Sequence, residues 1–433
     1  MELATARIAE RSANTAASAP HVQPLSAAAD AEHGWIAIIE SNFSGHRWRY
    51  AEWIAQACIE AGERCVIVTD LAHAGHPLSQ RIGANGAPNL RIMPIEMRNI
   101  ALDPLRRASA YARLHAMFAR AYAHVSRELP VRLVIVPYVD YFLYTLGWLG
   151  SPFGATDWIG LTMGATFHHA QVGVRTPRRP LVDYAKRRLF ARSMRVRGLR
   201  RLLTIDPTLP DWFARTRAAR HAAPLDYVAD PFPDTPLEDP ARARARLGLD
   251  PRARYLLVYG AISERKGVCE LVEALAHDAT APTLAIAGQQ DPETHAFLDA
   301  HLSRLAHAPL ILDRFIDEET ERLLFSACDA VWLGYRQHYG MSGVLVQAYR
   351  FRKPVIATAD GLIGWFCRDG RLGPCIDDLS RASIARALDA LTQRWNGSEV
   401  AYANAPARES LLARNTLDQF KRSFQQAVAA ARS

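Results

Sequence analysis

Short runs of apolar and β-branched residues alternate along this chain with longer stretches in which apolar positions recur every three or four residues. Trp35–Glu40 (WIAIIE) and Arg64–Thr69 (RCVIVT) read as strands, and Arg47–Ala61 between them as a helix. Further strands are predicted at Leu90–Ile95, Leu133–Val136, Ile159–Phe167 and Leu202–Ile205, with helices at Pro104–Val125 and Leu181–Val196. This strand–helix rhythm predicts a parallel sheet covered on both faces, and hence an α/β class.

Between Asp230 and Asp250 the apolar pattern lapses into PFPDTPLEDPARARARLGLD, a stretch rich in proline and charge. A second series then begins, with strands predicted at Tyr255–Ile262, Thr283–Gly288, Leu310–Phe315, Ala330–Tyr335 and Pro354–Thr358. The helices between them are expected at Lys266–Ala276, Glu293–Leu305, Glu318–Cys328 and Gly343–Phe351, and Leu379–Trp395 and Arg408–Ala430 close the chain. The expected organisation is a disordered extension (1–33), a Rossmann-like domain (34–230), a linker (231–253), a second Rossmann-like domain (254–407) and a terminal helix (408–433) packing back towards the first domain. No sequence repeat of 20–50 residues relates the halves.

At 433 residues the chain is long enough for two such domains, each with its own core. No apolar run reaches spanning length, and Arg7, Glu10 and Arg11 stand where a signal peptide would be apolar, so the protein is expected in the cytoplasm. Cys58, Cys65, Cys269, Cys328, Cys367 and Cys375 lie in apolar stretches without metal-ligand spacing and read as free thiols. The net charge of +8 is concentrated: residues 171–201 hold eleven basic side chains against Asp183 alone, so the rest of the chain is close to neutral. A basic stripe of this kind seeks phosphate, on a nucleic acid, an anionic membrane or a phosphorylated substrate.

After the strand at 330–335 comes a loop, Tyr339-Gly340-Met341-Ser342-Gly343, then a helix, then Lys353-Pro354-Val355-Ile356-Ala357-Thr358. Glycines let backbone N–H groups approach an anion and the helix N-terminus adds a favourable dipole, so this loop suits a phosphate; a tight β–α turn without a ligand would look the same.

The order of segments resembles the donor domain of glycosyltransferases with the GT-B fold, particularly the large family-four group. In that family a GR-L-x-x-x-K-G segment, an EGFG-L-x-x-x-E segment, a GKPV strand and a glycine pair follow one another. The matching stretches are YGAISERKGVCELVEAL (259–275), YGMSGVLVQAYRFRKPVIAT (339–358) and GLIG (361–364). The resemblance covers most of the C-terminal domain, the N-terminal domain in outline only, and implies two Rossmann-like domains, acceptor then donor, facing across a cleft. It implies that Lys266 pairs with the donor diphosphate, helped by Arg265 where Ala261 replaces the family's arginine. It also implies donor contacts from Gly340, Met341, Ser342 and Gly343, with His338 beside them. Both glutamates are replaced, by Tyr339 and Gln347; the amide still suits a ribose diol, while Tyr339 leaves the donor sugar open.

In the N-terminal half, Ser41-Asn42-Phe43-Ser44-Gly45-His46-Arg47 follows the first strand. By the resemblance this loop faces the donor, with Gly45 close to a phosphate or sugar and His46 and Arg47 touching either substrate; a plain β–α turn is the alternative. The resemblance further implies that His168 stands at a strand end, pointing into the cleft to orient the sugar or handle the acceptor proton, with His169 next to it. Asp140 is a further base or acceptor contact, or a helix cap.

Leu181, Val182, Ala185, Leu189 and Phe190 make one apolar helix face, flanked by Lys186, Arg187, Arg192 and Arg195, as in a helix resting on anionic lipid. A solvated helix beside a structural core is the alternative; nucleic acid is not expected, because no aromatic reading motif accompanies the charge. The expected activity is sugar transfer from a UDP- or GDP-type donor to a glycan or lipid-linked acceptor in polysaccharide or glycolipid assembly. Retention of configuration is implied, with no metal and no cofactor, at the inner face of the cell membrane. A non-catalytic GT-B-like binding subunit and a sugar-nucleotide epimerase are the alternatives.

Overall fold

The computed structural model describes residues 34–42, 47–75, 88–97, 107–370, 372–396 and 406–432. The proposed extension at 1–33, Gly45 and His46 lie outside these residues.

The first half holds a seven-stranded sheet in the order β3-β2-β1-β4-β5-β6-β7, all parallel. Its strands are β1 (Trp35–Ile39), β2 (Cys65–Asp70), β3 (Leu90–Ile95), β4 (Val131–Val136), β5 (Asp157–Thr162), β6 (Leu199–Thr204) and β7 (Leu225–Tyr227). The helices among them are α1 (Arg47–Glu60), α2 (Arg107–Glu128), α3 (Leu146–Leu149), α4 (Pro180–Ser193) and α5 (Thr208–Ala214). Strand side chains alternate between faces, and in β1 both faces are covered. Ile36 and Ile38 pack with Trp48 and Ile54 of α1, whereas Ala37 and Ile39 join Phe118 and Val125 of α2 on the opposite side. This double burial explains the unbroken apolar run, and each fully buried isoleucine stabilises the fold by about 1.5–3 kcal/mol.

The second half holds a six-stranded parallel sheet ordered β10-β9-β8-β11-β12-β13. It comprises β8 (Tyr255–Tyr259), β9 (Thr283–Ala287), β10 (Leu310–Leu312), β11 (Ala330–Leu333), β12 (Val355–Thr358) and β13 (Cys375–Ile376). Its helices are α6 (Pro240–Leu247), α7 (Val268–Leu275), α8 (Pro292–His301), α9 (Glu318–Ala327), α10 (Gly343–Arg350), α11 (Gly361–Gly370), α12 (Arg381–Asn396), α13 (Pro406–Arg414) and α14 (Leu417–Ala430). In each sheet the order reverses beside the first strand of the series, between β1 and β4 and between β8 and β11. Ligands of open α/β sheets bind beyond the carboxyl ends of the strands at such switch points.

Several stretches differ from expectation. Within 231–253 the chain forms α6, started by Asp239, whose side chain accepts from the Arg242 N–H, with Pro240 in the first turn. The run predicted at Ile159–Phe167 leaves the sheet after Thr162. The closing helix is two, because Asn415 donates to the Asp230 carbonyl at 2.6 Å and Thr416 caps a new start. The GLIG segment forms the first turn of α11.

The last helix joins the halves. Phe420 of α14 meets Tyr50 and Trp53 of α1 edge-on at 5.4 and 6.1 Å, Lys421 bonds Glu60 at 2.6 Å, and Gln425 donates to the Ala57 carbonyl at 3.0 Å. All six cysteines are free. Among the described residues no helix is long and apolar enough to cross a membrane.

Candidate active site at the two switch points

β8 and β11 end at Tyr259 and Leu333, and Lys266 stands over their carboxyl ends. Its ammonium donates to the Tyr259 carbonyl at 2.9 Å and the Tyr335 hydroxyl at 2.7 Å, and lies 4.2 Å from the Tyr335 ring centre. Trp332 fixes the lysine from below, its buried indole N–H donating to the Lys266 carbonyl at 2.7 Å. The next residue, Gly267, turns left-handed (φ 60°), and a Cβ there would lie 2.2 Å from the Gly334 carbonyl. Only glycine lets the lysine loop sit this close to β11.

Arg265 donates to His338 Nδ1 at 3.1 Å, while His338 Nε2 faces the Met341 carbonyl at 3.0 Å. Burial lowers the His338 pKa to about 4, and the positive Arg265 and Lys266 act in the same direction against the Met341 bond. The ring is therefore neutral near pH 7, accepting from Arg265 and donating to Met341. Arg336 nearby pairs with Glu264 and Glu270. Among the described residues, Arg265 and Lys266 have no carboxylate within 4.0 Å.

Met341, Ser342 and Gly343 lead from this pair into α10. Asp239, Asp291 and Asp317 cap α6, α8 and α9 through their side chains, but Ser342 makes no such bond at the start of α10. The first N–H groups of α10 thus keep their capacity for an anion, with the helix dipole behind them. Gln347, one turn on, is buried and donates to Glu321 Oε1 at 2.9 Å. The other Glu321 oxygen accepts from Tyr259 at 2.6 Å and from Arg49 of α1 at 3.2 Å. The carboxylate absent from position 347 is thus present beside it, on α9.

The two halves meet over this site. A Cβ on Gly340 would lie 3.4 Å from the Met163 carbonyl, and the Gly361 N–H donates to the Arg175 carbonyl at 2.8 Å. Arg175 also pairs with Asp360 at 2.8 Å and with Asp377. Burial and Asp360 push the Tyr339 hydroxyl pKa up, and the charge of Arg179 opposes them. Asp140 grips the opposing loop: it accepts from the Thr162 hydroxyl at 2.6 Å and from the Met163 and Gly164 N–H groups at 2.8 and 3.2 Å. Burial raises its pKa against these bonds. With both oxygens so engaged, Asp140 shapes the loop that faces Gly340.

The expectation for His168 is corrected. It lies in a turn, six residues beyond the end of β5, and both it and His169 are fully buried. His168 Nε2 lies 2.9 Å from the Thr208 hydroxyl and 3.2 Å from Asp206, and His169 Nε2 lies 2.9 Å from the same carboxylate. Burial lowers the His168 pKa; burial also works to raise that of Asp206, but the bonds from both histidines hold it well below the carboxylate range. The pair holds Asp206 and the start of α5 and does not open on solvent.

At the first switch point sits a group that the sequence reading passed over. Glu40 follows β1, is wholly buried, and accepts from Tyr141 and from the Asn42 N–H, each at 2.9 Å. Arg47 donates to the same Tyr141 hydroxyl at 2.9 Å and lies over the Tyr138 ring at 4.1 Å. Burial raises the Glu40 pKa to about 7, although Tyr141 and Arg47 both favour its charged form. The signal was a carboxylate closing an apolar strand; its partner lies a hundred positions away. A cavity of about 720 Å³ lined by Pro94, Met97, Met117 and Arg120 borders β3 and α2.

Residues 253–394 match the model of a family described as glycosyl transferases group 1. The stretch from β8 to α12 is thus similar to group 1 glycosyl transferases. No curated protein sequence matches the chain. Solved structures with the same GT-B fold of two parallel sheets include sucrose-phosphate synthase from Thermosynechococcus elongatus, with 16% identity and a TM-score of 0.68 over 92% of this chain and 98% of that one. Anabaena HepE in complex with UDP and glucose is 14% identical, with a TM-score of 0.65 over 92% and 100% of the two chains. WaaG, a glycosyltransferase involved in lipopolysaccharide biosynthesis, is 17% identical, with a TM-score of 0.59 over 90% and 98%. The matched stretch contains Lys266, and the N-terminal half meets it at Gly340 and Gly361.

Proposed function

We propose that this protein is a glycosyltransferase that moves a sugar from a UDP- or GDP-type donor to a glycan or lipid-linked acceptor in polysaccharide or glycolipid assembly, with retention of configuration. One observation carries this reading: two cations without carboxylate partners, Arg265 and Lys266, stand beside the uncapped start of α10 at a strand-order reversal. That arrangement suits a diphosphate. As the bond from the sugar to the diphosphate breaks, negative charge grows on the leaving oxygens, and fixed cations and N–H dipoles offset it without reorganisation. The UDP in the HepE complex supports a nucleoside diphosphate as the leaving group.

Other residues follow from their surroundings. Glu321, held by Tyr259, Gln347 and Arg49, supplies the acceptor oxygens that a ribose diol would need near α10. Asp140 positions the Met163–Gly164 loop across from Gly340, and Arg47 borders the acceptor side. His168 and His169 are positioning residues behind that wall.

Incubation of the protein with UDP- and GDP-sugars and a lipid or glycan extract tests the reading. A sugar-bearing product that disappears in Lys266→Met supports it. Nucleotide binding without turnover on any acceptor would favour a binding subunit, and a new sugar epimer without transfer would favour epimerisation.

A further inference from the structure

Among the described residues eight large apolar side chains are exposed, and five of them lie on α3 and α4: Trp148, Leu149, Leu181, Val182 and Tyr184. The two helices are in direct contact, since a Cβ on Gly147 would lie 2.6 Å from the Arg192 Cβ and the Arg192 guanidinium covers the Trp148 ring at 4.5 Å. The exposed face of α4 is not the one expected from the sequence. Phe190 is in the core and Leu189 is half-buried, whereas Leu181, Tyr184, Arg188 and Arg192, spaced three, four and four apart, share the outer side. They form a strip about 16 Å long, with Trp148 and Leu149 at its far end.

The charge around this strip is predominantly positive, with Asp183 the one carboxylate on α4. Arg175, Arg200 and Arg201 are taken up by Asp360, Asp157 and Asp226, but Arg178, Arg179, Arg188 and Arg192 remain on the exposed surface. Arg188 and Arg192 lie against Tyr184 and Trp148, so their cations sit at the level of aromatic rings that point outward. Aliphatic tips, outward aromatics and arginines at one depth match the boundary between acyl chains and anionic headgroups.

The strip also borders the cleft. Arg175 meets Gly361 and Asp360 of the donor half, and the six residues from Arg175 to Leu181 span at most about 20 Å. We infer that α3 and α4 form a docking face for an anionic lipid bilayer, which presents membrane-bound acceptor to the cleft mouth. The docking face stands on the geometry alone; its use for the acceptor rests on the proposed function.

Flotation of the full chain with vesicles of phosphatidylcholine alone, and of phosphatidylcholine mixed with phosphatidylglycerol, tests the inference. The wild type is expected on the mixed vesicles, with release by salt, and at least about tenfold weaker on the neutral ones. Trp148→Ser with Leu181→Ser, both on exposed side chains, should reduce vesicle binding about tenfold or more, as should Arg188→Glu with Arg192→Glu. Melting temperature and the UDP-induced shift of these variants should match the wild type. Equal binding by wild type and variants, or none by wild type, overturns the docking face. A wild-type dimer in sedimentation velocity that the Trp148 and Leu181 changes abolish overturns it as well. Vesicle binding without any nucleotide response would leave the docking face standing and defeat the donor reading instead.

Discussion

The Lys266 ammonium donates to the Tyr335 hydroxyl at 2.7 Å while lying 4.2 Å from the centre of the same ring. One tyrosine thus holds the cation by its edge and its face. Tyr335→Phe keeps the face and removes the hydroxyl. Nucleoside diphosphate affinity is expected to fall about fivefold, the worth of one net hydrogen bond near 1 kcal/mol, with the melting temperature little changed. Calorimetric titration checks this; an unchanged affinity would show that the hydroxyl does not set the lysine.

Gly267→Ala puts a methyl group 2.2 Å from the Gly334 carbonyl at a left-handed residue. Backbone strain alone costs about 1–2 kcal/mol, and the clash adds to it, so the lysine loop must move. Loss of nucleotide binding together with a lower unfolding midpoint is expected. An alanine variant that binds as the wild type does would mean that the loop tolerates displacement.

Arg49 and Glu321 are both largely buried, at 14% and 7% side-chain exposure, and join the two halves. Removing one partner strands the other, so Glu321→Ala should destabilise by roughly 3 kcal/mol or more. Arg49→Met combined with Glu321→Met should cost less than the two single changes added together. Urea unfolding of the four proteins measures the coupling, and strict additivity would argue against a shared buried pair.

Glu40 has a folded pKa raised by burial from 4.5 to about 7. The folded state therefore holds its proton through a range in which the unfolded chain has lost it. Stability associated with this group is full below about pH 4.5 and declines as pH rises towards 7, by about 3 kcal/mol in all. Asp230, raised by burial to about 6 beside Tyr50, works in the same direction over a lower window. Glu40→Gln should gain stability relative to wild type as pH rises from 5 to 7. Parallel stability profiles would remove Glu40 as the cause.

Both sheets were legible because strands buried on two faces leave unbroken apolar runs, as Trp35–Ile39 does. The Ala-Arg repeat of α6 has no apolar period, so the helix was hidden although its Asp239-Pro240 start was visible. At the site, Lys266 and the 340–343 loop were readable from local spacing. Glu321, Tyr335 and Glu40 were not, because their roles come from partners distant in sequence: Glu321 is joined to Arg49 and Glu40 to Tyr141. The two histidines misled for a related reason, since their burial is set by Asp206 and Thr208 far along the chain.

The most direct test is calorimetric titration of UDP and GDP into wild type and Lys266→Met, with circular dichroism to confirm folding. One of the two nucleotides should bind the wild type, and the substitution should weaken that binding about tenfold or more, the worth of a charge-assisted contact to phosphate. Failure of both nucleotides to bind, or equal affinity in a folded Lys266→Met protein, would contradict a diphosphate seated between Lys266, Arg265 and the start of α10.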